Sequence, residues 1–339
     1  MQPSISSKAQ SSVLENPLDR LSVVLKNDLS AVNALILQKM QSEVPLILQL
    51  AGHLIAAGGK RIRPLLTLAS AALFGYQGTR QHRLSACVEF IHTATLLHDD
   101  VVDESDQRRG RSSANALFGN EAAVLVGDFL FSRSFQLMVE DGSLDILRIL
   151  STAAAVIAEG EVLQLSIANN LETTEDQYFR VIRAKTAELF AAACEVGAVV
   201  AGVGPAECRA MRDYGMYLGI AFQISDDVLD YTSVETRLGK SVGDDFKEGK
   251  MTLPVIRAIA QSTPSEMSFW ARCLADLRQK DGDLQEAFSL LKRHGALESS
   301  LAEARRYSDL GIKSLAALPD HPLRQHLQEL IVFAVERDY

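Results

Sequence analysis

The chain has little that would suit an oxidising compartment, a membrane or a nucleic acid. Its four cysteines, Cys87, Cys194, Cys208 and Cys273, are scattered, with no CxxC pair and no zinc-ligand spacing. That excludes a disulfide framework and fits a reducing cytoplasm, the expected location. No uninterrupted apolar run reaches the ~18 residues that would mark a membrane span. The most apolar window, Leu189 to Val203, is broken by Glu195, so no transmembrane segment is expected. Met1 to Asn16 is polar and Ser-rich and lacks the apolar core of a secretory signal. A net charge of −9 provides no basic surface for a nucleic acid. No Pro/Gly/Ser-rich linker divides the 339 residues. The expected organisation is therefore a disordered tail over 1–17 and a single domain over 18–339.

What the chain has in quantity is helical periodicity. Apolar residues make up 47% of it, enough for a large core. Leu21, Leu25, Leu29, Val32, Ile36 and Met40 form one stripe of a helix from Asp19 to Gln41, and clean two-residue alternation is absent. Gly58-Gly59 ends a helix that starts at Pro45, and Pro64 opens the next. Further helices are expected from Arg83, from Asn120, from a Ser143 cap, from a Thr174/Gln177 capping box to Val203, and from Pro205. Between Thr232 and Lys250 the periodicity lapses into a glycine-marked loop. The fold class is all-α, a single-domain helical bundle around a central cavity.

Two of these helices end in acid. His92-Thr93-Ala94-Thr95-Leu96-Leu97-His98-Asp99-Asp100-Val101-Val102-Asp103 runs from apolar helix into three carboxylates on one face. Like charges repel there, and the macrodipole at a helix C-terminus adds to the cost. A divalent cation reverses that sign, and hard carboxylate oxygens without nearby thiols suit Mg²⁺. One such motif alone reads more readily as a solvated acidic face. The same spacing recurs, however, in Gln223-Ile224-Ser225-Asp226-Asp227-Val228-Leu229-Asp230. Two such clusters facing across a cavity would hold a diphosphate between their metals.

Cations stand near both. Gly58-Gly59-Lys60-Arg61-Ile62-Arg63-Pro64 puts three of them at a helix start, where free N–H groups favour anions. Arg108-Arg109 follows the first acidic cluster and is read either as its ion-pair partner or as serving phosphates. Lys185-Thr186 lies amid apolar neighbours, where a lysine often merely snorkels. Asp244-Asp245 in the glycine-marked loop reads as a water-ordering pair or as plain surface.

From about Leu18 to Arg337 the chain resembles the trans-isoprenyl diphosphate synthases, and within them the bacterial octaprenyl type. The pieces that carry this are GGKRIRP, FIHTATLLHDDVVDESDQRRG, VLVGDFLFSRSF, IAEGEVLQL, KTAELF, QISDDVLDY and LGKSVGDDFKEGKMTLP. The resemblance implies that Asp99, Asp100, Asp103, Asp226, Asp227 and Asp230 carry Mg²⁺, with Asp99, Asp103, Lys185, Asp226 and Asp227 central to catalysis. It gives Arg108, Lys185, Thr186, Gln223, Lys240 and Lys250 to an allylic diphosphate such as farnesyl diphosphate. Lys60, Arg63, His92 and Arg109 would hold isopentenyl diphosphate. Diphosphate departs, the isopentenyl double bond attacks the allylic cation, and no side-chain nucleophile is needed. A homodimer, and delivery of a greasy product at a membrane surface for quinone synthesis, belong to the same expectation.

Product length should depend on what blocks the path beneath the first motif. Ala94 and Thr95 are small, which lets a tail pass, and Phe131, Phe135 and Met138 share a face that is expected to form the floor. Synthases of shorter or longer products are the neighbouring readings. A class I terpene cyclase would have a different second metal motif, and a non-catalytic partner subunit would have lost acidic residues; both motifs here are intact. Two departures stand out: the chain ends Glu336-Arg337-Asp338-Tyr339 without a terminal basic residue, and Ser225 interrupts the apolar run.

Overall fold

A computed structural model describes residues 16–56, 58–108, 111–232 and 243–336. Among these the chain is helical almost throughout. The first half runs α1 (Pro17–Val24), α2 (Lys26–Lys39), α3 (Pro45–Ala56), α4 (Ile62–Leu73) and α5 (Arg80–Val102). A two-residue hairpin, β1 (Gln107–Arg108) with β2 (Arg111–Ser112), leads to α6 (Ala114–Phe118), α7 (Asn120–Asp141) and α8 (Leu144–Ile167). Then come α9 (Glu175–Ile182), α10 (Glu188–Val200), α11 (Pro205–Thr232) and the short α12 (Asp244–Lys247). The remainder is α13 (Leu253–Ile259), α14 (Pro264–Trp270), α15 (Asp283–Arg293), α16 (Ala296–Ser314) and α17 (Pro322–Glu336).

The expected starts and caps largely hold. Ser143 Oγ accepts from the Ile146 N–H, and Thr174 with Gln177 forms a full capping box. Two expected helices are each divided. The first breaks at Leu25, whose φ of −101° and ψ of 20° leave the helical well. The helix expected from Thr174 to Val203 contains a wide π turn, Arg183–Ala187, between α9 and α10. Such turns carry one residue more than an α turn and occur often at functional sites.

The bundle is built around α10, which is buried on all sides because its residues are small. Ala191, Ala192, Ala193 and Cys194 are wholly inaccessible. Gly197 lets α4 approach: a Cβ there would lie 2.5 Å from the Thr67 carbonyl oxygen. On α11, Gly215 and Gly219 do the same against Phe190 and Ala187. Glu195, which breaks the apolar run, is explained by a partner. Arg212 on α11 reaches both Glu195 at 3.0 Å and the buried Glu188 at 2.7 Å.

Among the described residues one helix, α7, is long and apolar enough to cross a membrane by length and composition, where the sequence leads one to expect none. Packing accounts for half of that apolarity. Ala123, Val126, Leu130, Leu137 and Met138 are buried against the core, while Val124, Leu125, Phe135 and Val139 form an exposed stripe on the other face.

Gly215→Ala tests the close crossing. The added Cβ would fall 2.4 Å from the Phe190 carbonyl oxygen and 2.7 Å from Ala191 Cα, both backbone atoms. Overpacking costs about 1–3 kcal/mol, against ~1 kcal/mol regained in helix propensity. A lower urea midpoint is expected; an unchanged one would mean that α10 and α11 can separate freely.

Candidate active site

The ends of α5 and α11 bring the two acidic motifs to the same end of the bundle. Asp99 lies one turn before the end of α5, and Asp103 is its cap residue. Burial first, then Asp103 and Asp100, raise the proton affinity of Asp99; Lys185 and Arg108 oppose them. Asp100 faces elsewhere. It is 3% exposed, and Arg108 on the hairpin binds its Oδ1 through Nε at 2.7 Å and Nη2 at 2.6 Å. Asn115 Nδ2 donates to the carbonyls of Asp100 and Ser105, closing the turn that leads into the hairpin. Arg108 thus pairs with a member of the acidic cluster.

On α11, Asp227 is buried and accepts from the Tyr178 hydroxyl at 2.5 Å and from Gln223 Nε2 at 2.8 Å. Burial and Asp245 drive its proton affinity well up. Asp230 is pushed up to about 7, by burial first and then by Asp245. Its Oδ2 accepts the Asp245 N–H at 3.0 Å, and its carbonyl accepts the Gly243 N–H at 2.9 Å. So α12 folds back onto the second motif; residues 233–242 of the expected glycine-marked loop lie outside the described residues. Gly243 is required at that return: its φ is +81°, and a Cβ would strike Leu284 Cδ1 at 2.4 Å.

The wide turn joins the two sides. Lys185 Nζ is 3.7 Å from Asp99 and 2.7 Å from Glu161 on α8. The adjacent Thr186 donates through its hydroxyl to Gln223 Oε1 at 2.8 Å, and Gln223 in turn holds Asp227. Lys250 is 3.4 Å from Asp245 and 2.5 Å from Glu248. Burial lowers its proton affinity, but Asp245, Glu248 and, from the other motif, Asp103 outweigh that and hold its ammonium charged.

The glycine-pair segment divides its three cations. Arg61, in the left-handed region at φ 49°, caps α4 and pairs with the buried Glu89. Lys60 is exposed and, with Gly58 and Gly59, lines a cavity of about 420 Å³ against α1 and α2. Arg63 donates to His92 Nε2 at 3.0 Å, with its guanidinium 4.3 Å above the Phe190 ring. Arg109 and Lys240 lie outside the described residues, as does the chain end from 337. Along α5 Ala94 is buried, and Thr95 donates to the His92 carbonyl at 2.8 Å. The expected floor is split: Met138 is buried, whereas Phe135, packed edge-on against Phe131 at 5.3 Å, is 39% exposed.

Tyr178, Glu161 and Asn115 were missed from sequence. Tyr178 carries no local signal, because its partner is 49 residues away. Glu161 had one, since it follows a glycine in mid-helix within IAEGEVLQL.

The polyprenyl synthetase family profile matches residues 44–291. The chain belongs to that family. This polyprenyl synthetase is 46% identical to octaprenyl diphosphate synthase of Escherichia coli over 95% of its own length and 99% of the relative's. It superposes on a decaprenyl diphosphate synthase from Rhodobacter capsulatus with a TM-score of 0.91, at 55% identity, covering 94% of this chain and 99% of that one. A polyprenyl synthase from Caulobacter crescentus, solved with calcium and isoprenyl diphosphate, also gives 0.91, at 52% identity over 94% and 98%. The chain is accordingly a prenyltransferase of the long-chain all-trans type.

The raised acids fix a pH dependence. Asp230 binds its proton more tightly folded (about 7) than unfolded (3.8), so this stabilisation is complete below pH ~4 and is lost as pH rises through 7. Asp99 and Asp227 shift in the same direction, whereas the lowered acids, Glu266 and Asp283, contribute stability that is constant above pH about 4.5 and is lost only on acidification below it. Chelator-treated protein should therefore melt lower at pH 8 than at pH 5.5, with Mg²⁺ reversing the trend. Equal melting temperatures would refute the crowding of these carboxylates.

Proposed function

We propose that this synthase condenses isopentenyl diphosphate with an allylic diphosphate such as farnesyl diphosphate and stops at octaprenyl length, supplying a quinone side chain. The observation that carries the condensation is the wide turn, whose residues Lys185 and Thr186 lie against Asp99 at 3.7 Å and against Gln223 at 2.8 Å; the octaprenyl length is taken from the 46% identity to an octaprenyl diphosphate synthase. One turn of helix thereby serves both acidic helix ends.

Asp99, Asp103, Asp226, Asp227 and Asp230 are assigned to the divalent cation, taken as Mg²⁺. The donor set fits: all are hard oxygens, and burial and mutual repulsion have raised the proton affinities of Asp99, Asp227 and Asp230. Among the described residues no three His, Cys, Asp or Glu side chains converge on one point. Magnesium asks for only one or two carboxylates and fills its shell with water and phosphate. When bound, it neutralises charge gathering on the departing diphosphate. Asp100 is reassigned: held at Oδ1 by Arg108, it orients that guanidinium.

Arg108, Lys185, Thr186, Gln223, Lys240 and Lys250 are assigned to the allylic diphosphate. Their cations stabilise the leaving oxygen most where water is excluded. Lys60, Arg63, His92 and Arg109 are assigned to isopentenyl diphosphate, with Arg63 steadied by His92 and by the face of Phe190. The path beneath the first motif is given to Ala94, Thr95, Phe131 and Met138. Phe135 belongs with Val124, Leu125 and Val139 to the exposed stripe of α7, which suits the seam of a homodimer. The four free thiols agree with a cytoplasmic enzyme that hands its product to a membrane surface.

Purified protein given Mg²⁺, farnesyl diphosphate and isopentenyl diphosphate should yield octaprenyl diphosphate by mass spectrometry. A cyclic hydrocarbon would point to a cyclase, and no turnover to a non-catalytic partner subunit. Asp99→Asn and Asp226→Asn should each lower kcat on the order of a hundredfold to a thousandfold with the circular dichroism spectrum unchanged. Met138→Ala should lengthen the product; an unaltered distribution removes it from the floor. Leu125→Glu should shift sedimentation from dimer to monomer, and a monomeric parent would sink the seam.

A further inference from the structure

On α8, Gly160 brings the helix backbone against the wide turn. A Cβ at that position would lie 2.7 Å from Ala184 Cβ and 2.9 Å from the Lys185 backbone nitrogen. The next residue, Glu161, exploits the approach. Its Oε2 accepts from Lys185 Nζ at 2.7 Å, whereas Asp99 Oδ2 is 3.7 Å from the same nitrogen. Its Oε1 is buried and has no hydrogen-bond partner. Glu161 is also an unfavourable place for a carboxylate: burial first, then Asp99 and Asp103, act against its charge, and Lys185 offsets them. Packing α8 on the turn requires only the glycine. A carboxylate beside two others, with one oxygen unused, has a different reason to be there.

We propose that Glu161 is a positioning residue for the condensation: it draws Lys185 away from Asp99, leaving Asp99 open to the divalent cation until the allylic diphosphate arrives and takes the ammonium. This rests on the assignment of Asp99 to the cation and Lys185 to the diphosphate. Among the described residues, Asp99 and Glu161 are the two carboxylates within 4.0 Å of Lys185 Nζ. Lysine is a compact charge on a flexible stem, so once Glu161 is removed it settles on Asp99. An incoming cation must then displace it.

The test is calorimetric titration of Mn²⁺ into the full chain with no diphosphate present, the state in which Lys185 and the cation compete for Asp99. The variants are Glu161→Ala, Glu161→Gln, Lys185→Met, the Glu161→Ala/Lys185→Met double and Asp99→Asn. Glu161→Ala should weaken Mn²⁺ binding about tenfold, the usual scale for a group behind the ligands. Glu161→Gln, whose amide oxygen still accepts from the ammonium, should lie closer to the parent than to Glu161→Ala. The double variant should bind no worse than Lys185→Met, because Glu161 acts through that lysine. In turnover assays Glu161→Ala should raise the half-saturating Mg²⁺ concentration and leave the KM for isopentenyl diphosphate unchanged. If alanine loosens α8, Glu161→Leu keeps the volume and carries the same expectation. Parent-like Mn²⁺ binding by Glu161→Ala or Glu161→Leu would overturn the proposal. So would a further loss in the double variant, which would make Glu161 itself a cation ligand. Asp99→Asn reads the underlying site separately: undiminished Mn²⁺ binding there removes the cation assignment on which the proposal stands.

Discussion

The arrangement depends on carboxylates held close to one another where water cannot screen them. Asp99 at the end of α5 and Asp227 and Asp230 at the end of α11 all bind protons more tightly than free acids, and burial is the first cause in each case. Left alone, such clusters would protonate or push the helix ends apart. The protein opposes this with fixed groups of the other sign. Arg108 sits on Asp100, Lys185 lies between Asp99 and Glu161, and Lys250 is set against Asp245 and Glu248. The cations are paired to protein carboxylates by contacts that a phosphate group can replace.

Holding those helix ends in place is the task of an almost featureless helix. α10 contributes small side chains, and the glycines facing it bring α4 and α11 to backbone contact. Tight packing of this kind resists deformation, so the positions of α11 and of the wide turn are determined together. The Arg212 bridge to Glu188 and Glu195 adds a charged tie across the same pair of helices.

Much of this was legible in the sequence, for physical reasons. The six aspartates announced themselves because electrostatics makes such spacing unfavourable without a counter-charge, and the repeat removed coincidence. Helix starts at Ser143 and Thr174 were legible because capping is local chemistry. The tertiary partners were not. Nothing near Tyr178 predicts a bond to Asp227, and nothing near Arg61 predicts Glu89 rather than a ligand. The shared face of Phe131, Phe135 and Met138 was read from period alone, but a helix with core on one side and an exposed stripe on the other sends residues at that spacing both ways. The wide turn was also hidden, because Arg183–Ala187 has ordinary helix-forming residues and its irregularity arises from what packs around it.

That turn sets the phase of everything after it. One surplus residue amounts to about 100° of rotation about the axis, at 3.6 residues per turn. Upstream, Tyr178 is aimed at α11; downstream, Phe190 and Ala191 are aimed at the Gly215 notch on that same helix. A regular helix would satisfy one of these aims and rotate the other away. The extra residue works as a gear tooth, letting two stretches of one rod keep separate headings, with Lys185 and Thr186 at the point where the heading changes.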